Sequence, residues 1–183
     1  MYNLHVNILG ISGSLRKKSY NTALLKAAQK LAPEMGIEIL DYSAVPIFNQ
    51  DLEESVYPQV VTDMRGKIQA ADAILIAVPE FNRTPAGSLK NLIDWASRPD
   101  YKLWNQKPVG IIGASSGPRG ASFAQYDVRR IMSYFNARTM GQPEFYCASD
   151  EDGKFDADMN LVDPKTIEVF KKFLAAFAEH IQR

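Results

Sequence analysis

Residues 72–79 read DAILIAVP. Six apolar side chains lie in one unbroken run between Asp72 and Pro79. A strand with one face in water alternates apolar and polar residues, whereas an unbroken run is what a strand covered on both faces requires. Such a strand belongs in the middle of a parallel sheet, whose crossover helices cover it above and below. The segments on either side should then alternate between helix and strand.

They do. Residues 4–12, LHVNILGIS, are strand-like, and Leu24, Ala27, Ala28 and Leu31 then recur on one face of a helix. Residues 36–43, GIEILDYS, form a second strand, followed by a polar loop over 44–58 that contains Pro46 and Pro58. Val60, Val61, Met64, Ile68 and Ala71 mark the helix before the 72–79 strand, and Leu89, Leu92, Ile93 and Ala96 the helix after it. PVGIIGASS at 108–116 is a fourth strand, and Ala124, Val128, Ile131, Met132 and Phe135 line a fourth helix. ARTMGQPEFYC at 137–147 is a weaker strand, and 148–163 reads as a surface excursion. A last helix, begun by DPKT at 163–166, carries Phe170, Phe173, Leu174, Phe177 and Ile181 on one face. Five such units predict an α/β, three-layer sandwich whose five-stranded parallel sheet has the flavodoxin-like order 2-1-3-4-5, as a single domain over 1–183.

Composition narrows the function. The chain of 183 residues carries 21 basic and 21 acidic side chains, a formal net charge of zero. A nucleic-acid binder would show a basic surplus, so none is expected. No apolar run approaches the roughly 20 residues that a bilayer needs, and the N-terminus lacks the pattern of a signal peptide. One cysteine, Cys147, cannot make an internal disulfide, which suits a reducing, cytoplasmic setting. With one cysteine and no clustered histidines, no protein metal site is expected. His5 and His180 fall on the first strand and last helix, away from any ligand edge.

In open parallel sheets ligands bind beyond the carboxyl ends of the strands. Three loops therefore matter. The first, SGSLRKKSYNT at 12–22, combines Gly13, the hydroxyls of Ser12, Ser14, Ser19 and Thr22, the amide of Asn21 and the guanidinium of Arg16 at a helix start. Free backbone N–H groups, hydroxyls and a rigid cationic fork together describe a cradle for a terminal phosphate. Neither G-x-x-x-x-G-K-[ST] nor G-x-G-x-x-G occurs, so the nucleoside-triphosphate loop and the dinucleotide fingerprint are absent. The plainer alternative is a polar turn with Ser19 or Asn21 as a helix N-cap.

The second loop, PEFNRTPAGS at 79–88, is stiffened by Pro79 and Pro85. The amides from Glu80 to Thr84, the side chain of Asn82, and the surfaces of Phe81 and Arg83 suit the edge of a planar heterocycle. Asn82 also reads as the residue that closes a tight turn, and Glu80 as a turn-stabilising or exposed carboxylate rather than a general base. The third loop, SSGPRGAS at 115–122, places Ser115, Ser116 and Gly117 at a strand end, suited to the other edge of the same ring. Arg119 there is a substrate-facing charge or a solvated one. Trp95 lies beside the apolar stripe of its helix. With Tyr101, Leu103 and Trp104 it suggests either a subunit contact or ordinary packing.

At these loops the chain resembles the NAD(P)H-dependent FMN reductase family, which includes bacterial quinone and chromate reductases. Gly13 to Asn21 match a G-S-L-R-x-x-S-x-N motif throughout. Pro79, Glu80, Asn82, Leu89, Lys90, Asn91, Ile93, Asp94 and Trp95 match a P-E-Y-N turn followed by L-K-N-x-I-D-W. Phe81 replaces the usual tyrosine, and Pro85 stands one position early. The resemblance implies that Ser14, Arg16, Ser19, Asn21 and Thr22 hold the FMN phosphate. It implies that Pro79, Glu80, Phe81, Asn82 and Arg83 border the isoalloxazine ring, with Ser115, Ser116 and Gly117 nearby. It further implies NADPH or NADH as electron donor, a ping-pong reaction, and a small-molecule acceptor such as a quinone, azo compound, chromate or free flavin. A homodimer or homotetramer is implied as well. The cofactor carries the chemistry, so no catalytic acid or base is assigned. A flavodoxin-type electron carrier and a redox-sensing interaction protein are the rival readings. Zero net charge disfavours the carrier, since acidic surfaces serve docking to redox partners.

Overall fold

The structure, a computed structural model, describes residues 6–100, 102–148 and 153–183. His5 and Tyr101 lie outside them. The central strands are β1 (Ile8–Ser12), β3 (Ala73–Ala77) and β6 (Pro108–Ser115). Every residue of β1 and β3 is buried. Strand β3 pairs in parallel with β1 on one side, through Gly10–Leu75 and Ser12–Ala77, and with β6 on the other, through Ile74–Val109 and Ala77–Ile112. The edge strand β2 (Ile37–Ile39) pairs with β1. The observed order, β2-β1-β3-β6 and then the last strand, is the flavodoxin-like one.

The two-residue pleat period explains why the 72–79 run has no polar break. Leu9, Ile11, Ile74, Ile76, Val109 and Ile111 face one layer, with residues of α3 (Gln59–Ala70), α4 (Gly87–Ala96) and α5 (Ser122–Tyr134). Ile8, Ala73, Leu75, Ala77, Ile112 and Ala114 face the other, against α1 (Tyr20–Leu31) and α6 (Pro164–Gln182). Both faces bury apolar surface, so both parities of the strand must be apolar. On the second face Phe145 stacks on Phe170 with ring centroids 4.5 Å apart, and Phe173 and Phe177 extend the row. Asp163 caps α6, accepting the Thr166 N–H at 2.7 Å, and Pro164 opens its first turn.

The weak fifth strand is two short ones. β7 (Arg138–Thr139) pairs with the start of β6, and β8 (Phe145–Ala148) with its end. The residues between them include Pro143, which has no N–H to donate, so the ladder breaks there. The 44–58 loop contains a single-turn-scale helix, α2 (Gln50–Ser55), none of whose residues is buried. Leu52 is its sole apolar side chain, which leaves no period to read. Residues β4 (Glu80–Phe81) and β5 (Thr84–Pro85) form a tiny hairpin inside the second loop.

Trp95 belongs to the core, not to a partner surface: it is fully buried, and its indole N–H donates to the Pro46 carbonyl at 2.8 Å. Phe48 and Tyr57 pack edge-on against its ring. Asn91 works beside it, donating to Pro46 O at 2.8 Å and accepting the Phe48 N–H at 2.7 Å. Trp104 is fully buried as well and lies near Phe135. Trp95 therefore packs under the 44–58 loop, and Leu103 and Trp104 pack against or within the same core. Asp94 is structural, ion-paired with Lys90 one turn earlier on α4. No helix of the described residues is long and apolar enough to cross a membrane.

Replacing Asn91 by alanine removes two hydrogen bonds of the 44–58 loop at once. We expect a loss of about 1–3 kcal/mol in urea unfolding, with early proteolytic cleavage inside 44–58. Lys90→Ala, which breaks only an exposed i,i+4 pair, should change stability by about 0.5 kcal/mol or less.

Candidate functional site

The three loops meet because short contacts tie each to the next. Gly13 closes β1 with its N–H donated to Ala77 O at 2.8 Å. A Cβ at Gly13 would lie 2.5 Å from Pro79 Cδ, so only glycine lets the first loop press against the second. Ser88, at the start of α4, donates to Gly13 O at 2.8 Å, and the Tyr42 hydroxyl donates to Ser12 O at 2.7 Å. Burial pushes the Tyr42 hydroxyl up to about 12 and keeps it a donor.

The first loop is joined to the third by Asn21. Its amide oxygen accepts the Ala114 N–H at 3.0 Å, and its amide nitrogen donates to Ala114 O at 2.9 Å, across 93 residues of sequence. This pair of hydrogen bonds satisfies both backbone groups of a β6 residue from the first turn of α1. Ser19 is the N-cap of α1, its hydroxyl accepting the Thr22 N–H at 3.2 Å. The Thr22 hydroxyl donates to Ser12 Oγ at 2.8 Å, and Ser12 in turn donates to Ser14 O at 3.2 Å. Of the five residues expected around a phosphate, Asn21, Ser19 and Thr22 thus shape the loop from within. Ser14 is half-buried and Arg16 exposed at its rim. Among the described residues the Arg16 guanidinium has no carboxylate partner. The amides of Tyr20 and Asn21, in the first turn of α1, have no helical acceptor by geometry.

The second loop reaches the third through Glu80. Its carboxylate accepts the Ala124 N–H at 3.1 Å, capping α5 from another element, since the N-cap residue Ala121 has no side-chain hydroxyl or carboxylate. Glu80 is therefore the turn-stabilising carboxylate. Asn82 and Arg83 take φ of 51° and 67° at the hairpin tip, the backbone of a mirror-image turn, and Thr84 donates back to Phe81 O at 3.1 Å. Phe81 is largely exposed, at 60%. In the third loop Ser115 Oγ accepts the Ala121 N–H at 3.1 Å and donates to Gly117 O at 3.3 Å. Gly120, at φ 55°, runs so close to β8 that a Cβ would lie 2.7 Å from Cys147 N. Ser116 is exposed. The sequence marks Ser12 only as one more hydroxyl of the first loop and offers no signal for Tyr42 or Ser88, whose roles arise from the crossing of distant strands and helices.

The donor set fits a phosphomonoester at the first loop: hydroxyls, helix-start amides and a guanidinium that has no carboxylate partner among the described residues. The hairpin and the 115–117 segment offer backbone polar groups and an exposed phenyl ring, as a flat heterocycle needs.

A family model described as NADPH-dependent FMN reductase matches residues 6–152. The chain belongs to this family. It is 41% identical over 179 residues to the NAD(P)H-dependent FMN reductase of Pseudomonas aeruginosa, covering 97% of this chain and 96% of that one. It is 42% identical over 175 residues to the NADPH:quinone oxidoreductase of Arabidopsis thaliana, covering 92% and 88%. Among solved structures, the flavoenzyme NAD(P)H:(acceptor) oxidoreductase FerB of Paracoccus denitrificans superposes with a TM-score of 0.86 at 34% identity, over 97% of each chain. The protein is accordingly an oxidoreductase that works with FMN and a reduced nicotinamide nucleotide.

Two tests follow from the geometry. Asn21→Ala strands the N–H and C=O of Ala114 together and should lower stability by about 2–4 kcal/mol, measured by urea unfolding. The second test concerns alkaline pH. Burial raises the Cys147 thiol from 9.0 to about 11, and Tyr42 from 10.0 to about 12. The folded state holds both protons more tightly than the unfolded chain, so this stability is complete below pH 9 and is lost as pH rises toward 11 and 12. The fall should begin near pH 9, with a slope of at most about 1.4 kcal/mol per pH unit for each group. In Cys147→Ala it should begin about one unit higher.

Proposed function

We propose that this chain is a quinone reductase. It takes two electrons from NADPH or NADH and passes them to a quinone by a ping-pong reaction, with azo compounds, chromate and free flavin as further acceptors. The observation that carries the proposal is the convergence of three strand-end loops, one with a phosphate donor set and two that suit a planar ring. The quinone reductase activities for which relatives are named support it.

In this reading Ser14, Arg16 and the first-turn amides of α1 bind the FMN phosphate, while Ser19 and Thr22 hold the loop in its concave form. Asn21 sets the distance between phosphate and ring by fixing α1 to the end of β6. The backbone from Pro79 to Arg83 borders the ring on one side, with Ser115, Ser116 and Gly117 on the other. When bound, FMN supplies the hydride acceptor and the two-electron store. The protein supplies orientation and a fixed polar frame. Exposure of Phe81 leaves open the side from which donor and acceptor take turns. No side chain at the site is assigned a proton-transfer role.

Purified protein should show a flavin absorbance band that bleaches on anaerobic addition of NADPH and returns with benzoquinone. Initial-rate plots against NADPH at several quinone concentrations should be parallel. A band that NAD(P)H leaves unchanged would overturn the proposal. The double substitution Ser14→Ala/Arg16→Ala should weaken FMN binding to the apoprotein about tenfold or more, read by quenching of flavin fluorescence, with the far-ultraviolet circular dichroism unchanged.

We also propose a homodimer or homotetramer. A groove of about 500 Å³ between α4 and α5, lined by Ile93, Pro99, Ile131, Tyr134 and Phe135, supports a second copy at that face. Tyr134 there is 78% exposed. Sedimentation should give a dimer or larger, and Tyr134→Glu should shift it toward monomer. A wild-type monomer with full activity would exclude the assembly.

A further inference from the structure

We propose that Arg83 and Arg119 form a fork that recognises the phosphates of the reduced nicotinamide nucleotide, with the Phe123 ring as the platform on which both rest. The inference rests on the oxidoreductase reading above and assigns the part of the site that handles the donor. Arg83 comes from the tip of the β4–β5 hairpin and Arg119 from the loop before α5. Their guanidinium carbons lie 5.0 Å and 5.5 Å from the centroid of the same Phe123 ring. Two like charges from separate loops are thereby gathered onto one exposed aromatic surface, where their repulsion is unfavourable until an anion joins them. Among the described residues neither guanidinium has a carboxylate partner. The nearby Glu80 carboxylate is committed to the Ala124 N–H at 3.1 Å.

The backbone supports the same reading. Arg83 holds φ at 67°, second of the two central residues of a turn in which glycine would be unstrained. Ala121, two residues after Arg119, holds φ at 66°. The strain at Arg83 is not repaid by any hydrogen bond of its guanidinium, which lies over the Phe123 ring. Phe123 sits in the first turn of α5, whose positive end adds to the field. A planar guanidinium matches phosphate oxygens in bidentate fashion, and contact with an aromatic face keeps it oriented before the ligand arrives. The FMN phosphate is assigned to the first loop, so this second cationic centre is left for a second phosphate-bearing ligand. The donor is such a ligand: with its nicotinamide over the flavin, its phosphates extend toward the rim.

The test uses FMN-loaded wild type and the Arg83→Gln/Arg119→Gln double variant, with each single variant beside it. Anaerobic flavin bleaching is followed against NADPH and NADH concentration, and binding of ADP and adenosine 2′,5′-bisphosphate is measured by calorimetry. We expect the half-saturating donor concentration to rise about tenfold or more in the double variant, with weaker nucleotide binding. The wild-type affinity should itself decline with salt, because the fork is exposed. An equal rise for both donors assigns the fork to the shared pyrophosphate, and a rise confined to NADPH assigns it to the 2′-phosphate. Either supports phosphate recognition. Unchanged half-saturation for both donors, with unchanged binding of both nucleotides, overturns the fork. Failure of NADPH to bleach wild-type flavin would instead count against the oxidoreductase reading, and the calorimetry would still decide the fork.

Discussion

The amide of Asn21 closes on both backbone groups of Ala114, and the site depends on that clasp. Parallel strands end at the same edge of a sheet, but nothing in strand pairing fixes how the loops beyond them approach one another. Here the first turn of α1 is locked to the end of β6. Gly13 is pressed beneath Pro79, and Glu80 is fastened to the start of α5. The Asn21 and Glu80 links each hold a backbone group that would otherwise stand unpaired, so loosening one leaves an unmet donor or acceptor, while the Gly13 link is steric. The loops are therefore tied to one another at a set separation.

The motifs that identify the family divide differently between structure and chemistry than their sequence suggests. In L-K-N-x-I-D-W, Leu89, Ile93 and Trp95 are core, Asn91 holds the 44–58 loop, and Lys90 pairs with Asp94. That stretch is a wedge that sets the height of α4 against the sheet, and its first turn carries Ser88 to Gly13. In the first motif, Ser19 and Asn21 serve the frame, while Ser14 and Arg16 remain at its surface. Long motifs are specific here because many positions answer to packing at once, not because every position touches a ligand.

The loops also show how charge is handled in a chain whose net charge is zero. Glu80 is spent on the frame, accepting the Ala124 N–H. Arg16, Arg83 and Arg119 are left facing outward without carboxylate partners among the described residues. Within a chain of zero net charge, these three guanidinium groups are available to ligands that carry phosphate.

The sequence by itself determined the layer architecture. Apolar period 2 without polar breaks and apolar period 3.6 report burial directly, and burial on both faces of β3 admits few topologies. It also located the three ligand-side loops, because the end of a strand is a sequence position. The break of the last strand, the α2 turn and the β4–β5 hairpin were not legible. Each rests on one or two residues, too few to make a period. Tertiary structure alone decided what each polar side chain does. It placed Trp95 in the core rather than on a partner surface, and made Glu80 a cap. It gave Ser12, Tyr42 and Ser88 work inside the site, and set Arg83 and Arg119 on one ring. Apolar burial is a property of a residue and its near neighbours, whereas a hydrogen bond needs a partner, and the partner of Asn21 lies 93 residues away.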